Sequence, residues 1–149
     1  MLKSMRHLMI VVARFYEDIA EELVRGATAH LDAQGATYDI VSVPGAFELP
    51  AAVRMGIEST RYAGYIALGC VVRGETTHYD YVCAESARGL NDLAINHMAA
   101  IGYGILTVET MEQAWVRGAI AQGNKGAAAA EAALQMITLK KQLEKHEHK

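Results

Sequence analysis

The sequence predicts an α/β protein, a three-layer α/β/α sandwich around a four-stranded parallel sheet. Three observations carry this expectation. Short apolar runs rich in β-branched residues recur along the chain, and stretches with apolar residues at helical spacing lie between them. The two patterns alternate from end to end, as parallel βαβ units require.

His7 to Ala13 reads as the first strand. Asp18 to Ala33 carries Ile19, Leu23, Ala27 and Leu31, with Ala20 and Val24 beside them, a helical stripe that Gly35 ends. Thr37 to Val43 is the second strand. Pro44 and Pro50 bracket a short fixed segment, and Pro50 opens a helix to about Ser59. Tyr65 to Val72 is the third strand. Thr77 followed by Asp80 resembles a capping box, so a helix is expected from about Tyr79 to Ala100, burying Val82, Leu90, Leu93 and Met98. Tyr103 to Val108 is the fourth strand, introduced by Gly102. A short helix covers Thr110 to Gly118, and Gly123-Asn124-Lys125-Gly126 is a turn. The last helix runs from Ala127 to about Leu143, with Leu134, Met136, Ile137 and Leu143 as packing positions. The tail from Lys145 to Lys149 is polar and expected to fray.

A chain of 149 residues fits one domain, 1–149, with a sizeable core. Apolar residues make up 52% and charged residues 21%, a globular balance. A net charge of −3 gives no reason to expect nucleic acid or an anionic membrane as partner. No apolar run approaches the ~20 residues that span a bilayer. The N-terminal run ends at Arg14 and Phe15 without a small-residue cleavage pattern, so it reads as a strand and not a signal peptide. Cys70 and Cys83 offer neither a disulfide framework nor metal-ligand spacing, which fits reduced thiols in the cytoplasm. The small side chains of Ala127–Ala130, Ala132 and Ala133 allow close approach of another helix. Four strands are also few for so apolar a chain, and both features point beyond a monomer.

The chemistry is expected around Tyr65 to Val82. A strand, a tight turn and a helix N-terminus leave free backbone N–H groups at the carboxyl end of a parallel sheet, where an anion can bind. His78 sits there, and imidazole exchanges its proton near neutral pH. An ordinary helix-end histidine is the competing reading, about as frequent from position alone. Arg73, Arg117 and Lys125 lie near predicted loops or helix ends; each alone is most simply a solvated charge. Gly123–Gly126 is no phosphate-binding P-loop, since the first glycine and the hydroxyl after the lysine are missing. Glu48, between Ala46-Phe47 and Leu49-Pro50, needs a hydrogen-bond partner or a hydroxylated ligand. Phe15, at the end of the first strand, is either core or a platform for a planar heterocycle. Tyr103, at the start of the fourth strand, lies at the opposite edge of the sheet. If both rings touch one ligand, Tyr103 comes from a neighbouring subunit.

Four stretches in order resemble the lumazine synthase family: Val43 to Pro50, Gly69 to His78, Gly104 to Thr107, and Gly123 to Gly126. Each alone is weak; together, at family spacing over nearly the whole chain, they are specific. The resemblance implies a flavodoxin-like fold and formation of 6,7-dimethyl-8-ribityllumazine in the penultimate step of riboflavin biosynthesis. The substrates would be 5-amino-6-(D-ribitylamino)uracil and 3,4-dihydroxy-2-butanone 4-phosphate, with no metal or organic cofactor. By similarity, Phe15 stacks on the pyrimidine, and Ala46, Phe47 and Glu48 hold the ribityl chain. Cys70, Val71 and Val72 contact the pyrimidine edge, Glu75 and Thr76 form the phosphate turn, and Arg117 pairs with the phosphate. His78 matches the proton donor, and Tyr103 and Lys125 match positions supplied by the adjacent subunit. The family assembles as pentamers, and some members pack twelve pentamers into a sixty-subunit shell. The pentamer is expected here, with active sites at subunit interfaces.

Three departures stand out. Tyr16 occupies a position where many members carry Asn. Glu75 puts a carboxylate on the phosphate turn, so its backbone N–H has to do the binding. The segment before the first strand is short. Two other readings stay open: a shell or ligand-storage protein with little catalysis, and a flavodoxin-like domain with bound flavin.

Overall fold

A computed structural model of the chain describes residues 6–147. The elements are β1 (His7–Ala13), α1 (Glu17–Ala33), β2 (Thr37–Val43), a 3-10 turn (Ala46–Glu48), α2 (Leu49–Ser59), β3 (Gly64–Val72), α3 (His78–His97), β4 (Ile101–Val108), α4 (Met111–Gly118) and α5 (Lys125–Glu147). The strands form one four-stranded sheet in the order β2-β1-β3-β4. Every pair is parallel.

Side chains alternate across a strand, so β1 serves two cores at once. Leu8, Ile10 and Val12 face Ile19, Leu23 and Leu31 of α1 and Ala133, Leu134 and Ile137 of α5. Met9, Val11 and Ala13 face the other way, towards Leu49 and Val53 of α2 and Val82 and Leu90 of α3. This makes the three expected layers. Each fully buried Leu or Ile contributes roughly 1.5–3 kcal/mol. The alanines of α5 let that helix approach the sheet closely: a Cβ on Gly102 of β4 would lie 1.9 Å from the Ala129 carbonyl oxygen.

The bounds of β1 and β2 agree with the sequence reading, and the other elements need correction at their ends. Helix α3 stops at His97, because Met98 takes a left-handed conformation (φ 51°) that closes the helix without a glycine. Met98 is therefore exposed (68%) and not buried. β4 begins at Ile101, so Gly102 is inside the strand and not before it. Tyr103 is accordingly its third residue. The capping box at the start of α3 does not form: Thr77 is the N-cap, but its side chain accepts no cap hydrogen bond. Asn124 alone of the Gly123–Gly126 turn is left-handed (φ 48°), and α5 already starts at Lys125. Met136 and Leu143, expected to pack, are exposed, whereas Leu134 and Ile137 are buried. The segment before residue 6 and the last two residues, including His148, lie outside the described residues. Among the described residues, no helix is long and apolar enough to cross a membrane.

Candidate active site

The carboxyl ends of β1, β2 and β3 lie side by side, with Ala13 opposite Val43 and Val12 opposite Leu68. Three connections leave from this edge: Arg14–Tyr16, Pro44–Glu48 and Arg73–Thr77. Between them opens a cavity of about 490 Å³. Open parallel sheets bind ligands at such a place.

Each wall is fixed locally. The Arg14 amide donates to the Val43 carbonyl at 3.1 Å, and its Nε donates to Ser42 Oγ at 2.8 Å. This ties the first connection to β2 and leaves the Phe15 ring 72% exposed at the cavity mouth. Tyr16 meets that ring edge-on, with centroids 4.9 Å apart. On the second connection, Ala46 and Leu49 are buried, which turns Phe47 and Glu48 outward. Glu48 Oε1 accepts a hydrogen bond from the Gly45 amide at 3.0 Å. The floor is the end of β3, with Cys70, Val71 and Val72. Burial pushes the Cys70 thiol up to about 11, so it stays protonated at neutral pH.

The third wall is the turn before α3. The His78 amide donates to Thr76 Oγ1 at 3.2 Å, and the Asp80 amide to the Thr77 carbonyl at 2.9 Å. Among the described residues, the amides of Gly74, Glu75, Thr76 and Thr77 have no protein acceptor. A row of unpartnered N–H groups at the start of a long helix is an anion site. The exposed His78 side chain lines the cavity beside it. The cavity thus offers a flat aromatic face, a carboxylate held by a backbone amide, a turn with free amides and an imidazole.

The profile of the 6,7-dimethyl-8-ribityllumazine synthase family matches residues 5–141. A protein of Rhizobium meliloti (strain 1021), 6,7-dimethyl-8-ribityllumazine synthase 1, is 54% identical over 92% of this chain and 93% of its own length. The 6,7-dimethyl-8-ribityllumazine synthase of Agrobacterium fabrum (strain C58) is 52% identical over 94% of this chain and 98% of its own. The chain belongs to the lumazine synthase family. The resemblance drawn from the four sequence stretches is thereby borne out, and with it the flavodoxin-like fold, the transferase class and the condensation that forms the lumazine.

The cavity gathers Phe15, Ala46, Phe47, Glu48, Cys70, Val71, Val72, Thr76 and His78 from the residues singled out in the sequence. Glu75 is on the turn but not on the cavity wall. Tyr103, Arg117 and Lys125 are elsewhere. Tyr103 pairs with Ala67, three residues before Cys70, which is about 10 Å down the strand. Arg117 is exposed, and its Nη1 donates to the Gln113 carbonyl at 3.2 Å. Lys125 opens α5. Sequence reasoning did not place Gly45, Gly74, Tyr79 and Val82 on the wall, and took Tyr16 only as a departure. Val82 was legible, since it lies one turn from His78 on the same helix face.

Proposed function

We propose that this cavity joins 5-amino-6-(D-ribitylamino)uracil to 3,4-dihydroxy-2-butanone 4-phosphate, giving 6,7-dimethyl-8-ribityllumazine, phosphate and water. The observation that carries the reading is the Phe15 ring, the Glu48 carboxylate and the turn ending in His78 around one cavity. Phe15 stacks on the pyrimidine, whose edge meets the backbone of Cys70, Val71 and Val72. Ala46, Phe47 and Glu48 hold the ribityl chain, with Glu48 accepting its hydroxyl hydrogens. The amides of Glu75 and Thr76 receive the phosphate, and Arg117 adds a positive partner.

The pyrimidine amine attacks the ketone and, after proton transfers and loss of water, forms an imine. Phosphate then leaves, the resulting enol tautomerises, and the second amine attacks the remaining carbonyl and closes the ring with loss of a second water. Both substrates are reactive, so holding them together supplies much of the rate. His78 carries protons in several steps, and the turn with Arg117 stabilises the departing phosphate.

The site is completed by a neighbour in a homopentamer. Two observations support this. Tyr103, Arg117 and Lys125 lie outside their own chain's cavity. The edge strand β2 leaves Ile40 and Val41 exposed. The chain is one domain over 1–149 and works in the cytoplasm, where the free thiols Cys70 and Cys83 stay reduced. Mixing pure protein with both substrates and following lumazine absorbance against a protein-free blank tests the reaction. A rate equal to the blank would return the chain to ligand storage or flavin binding. Sedimentation tests the assembly, and a monomer would contradict it.

A further inference from the structure

The turn that offers its amides to phosphate has little to hold it. Gly74, Glu75, Thr76 and Thr77 are exposed, and a Cβ added at Gly74 would meet nothing within 4 Å. Packing therefore does not fix its shape. Arg73, the residue before it, ties it to the end of β4 and to the start of α3. The Arg73 amide donates to the Val108 carbonyl at 3.0 Å, extending the β3–β4 ladder by one residue. Its Nε donates to both carboxylate oxygens of Glu109, at 2.9 and 3.1 Å. Nη1 lies 3.6 Å from Asp80 Oδ1, and the guanidinium carbon lies 4.4 Å from the Tyr79 ring centroid. One side chain thus joins the end of β4 to the first turn of α3.

Glu109 is itself held. Its amide donates to Gln113 Oε1 at 2.8 Å, and the Gln113 amide donates to Thr110 Oγ1 at 3.2 Å. The carboxylate therefore rides on the capped start of α4. Tyr79, under the guanidinium, lines the cavity, whereas Arg73 and Glu109 do not.

We propose that Arg73 and Glu109 form a clamp that holds the anion-binding turn and the His78 end of α3 in the shape that receives the phosphorylated substrate. This rests on the lumazine synthase reading of the site. Both are positioning residues: the guanidinium faces Glu109, Asp80 and Tyr79 and leaves the phosphate to the backbone amides. An exposed ion pair with a cation–π contact is worth roughly three- to tenfold in a local equilibrium, enough to bias a turn and too little to decide the fold.

The test is Glu109→Gln, with Arg73→Lys as a second variant. The clamp predicts a roughly three- to tenfold rise in KM for 3,4-dihydroxy-2-butanone 4-phosphate in Glu109→Gln. KM for the pyrimidine and Tm stay as in the parent. Arg73→Lys, which keeps a charge over Tyr79 but loses the fork, falls between. Amide exchange over peptides spanning residues 73–81 becomes faster in Glu109→Gln, because the bonded amides of Arg73, Asp80 and Tyr81 open more often. If Arg73 instead bound phosphate itself, removing its carboxylate partner would lower KM for the phosphorylated substrate, and the clamp would be overturned. Unchanged exchange overturns it whatever happens to KM. A parent protein that makes no lumazine would sink the functional reading alone, and exchange would still decide the clamp.

Discussion

The Gly45 amide donates a 3.0 Å hydrogen bond to Glu48 Oε1, closing a short turn beside the cavity. This fixes the carboxylate before any ligand arrives and leaves Oε2 free for the ribityl hydroxyls that the proposed function assigns to it. Hydrogen bonds to a charged group are worth about 1.5–3 kcal/mol. Glu48→Gln is therefore expected to raise KM for the ribityl pyrimidine roughly tenfold or more. KM for the phosphorylated substrate should hardly move. Steady-state kinetics with each substrate varied in turn separates the two, and an equal rise in both would contradict the assignment.

Arg117 is exposed in the single chain, and among the described residues its side chain makes one hydrogen bond, to a backbone carbonyl. In the proposed assembly it meets phosphate. Arg117→Ala should raise KM for the phosphorylated substrate by roughly ten- to a hundredfold, the value of one charge-assisted contact. Tm should stay within a degree or two. Unchanged KM would remove Arg117 from the site.

Gly102 is where α5 and β4 approach most closely. A methyl group there would lie 1.9 Å from the Ala129 carbonyl oxygen and 3.3 Å from the Ala133 Cβ. The backbone has to shift to admit it. Gly102→Ala is expected to cost about 3 kcal/mol, or roughly 6–12 °C in Tm. Thermal unfolding checks this, and parental stability would mean that α5 moves freely over the sheet.

Glu131 of α5 accepts from Gln135 Nε2 at 2.8 Å and lies 2.7 Å from His30 Nε2 of α1. The Gln135 hydrogen bond, then the His30 contact, hold its carboxyl below the usual 4.5. The sign follows. The folded state favours the ionised form, so this stabilisation is complete above the unfolded carboxyl's pKa. It is lost as pH falls through the lower folded value. Glu131→Gln should lower Tm slightly at neutral pH, where this stabilisation is complete, and match the parent in acid, so the acid limb of its Tm–pH curve below about pH 4.5 is flatter. Parallel acid limbs would show that the α1–α5 contact carries no linkage.

Much of this was legible in the sequence, and the misses have physical causes. β1 reads cleanly because Arg6 and Arg14 bound its apolar run, and β2 because Gly35 and Pro44 bracket it. The end of α3 did not, because Met98 closes it in a left-handed conformation that sequence patterns assign to glycine. Gly102 reads as punctuation, yet it is a strand residue made small by Ala129. Met136 and Leu143 satisfy helical spacing but face away from the sheet, since only one side of α5 is covered. Nine of the expected site residues converge because they sit at the ends of neighbouring strands. Tyr79 was missed because its role depends on Arg73 lying over its ring, a contact that spacing does not reveal.

The central claim is that His78 moves protons in lumazine formation at this cavity. The most direct measurement is the initial rate of lumazine absorbance for parent protein, His78→Ala and a protein-free blank, with both substrates saturating. Positioning survives the substitution, so the variant should turn over roughly 10- to 100-fold more slowly than the parent and still exceed the blank. A variant as fast as the parent would contradict the proton-carrying role of His78. A parent no faster than the blank would contradict the enzyme itself.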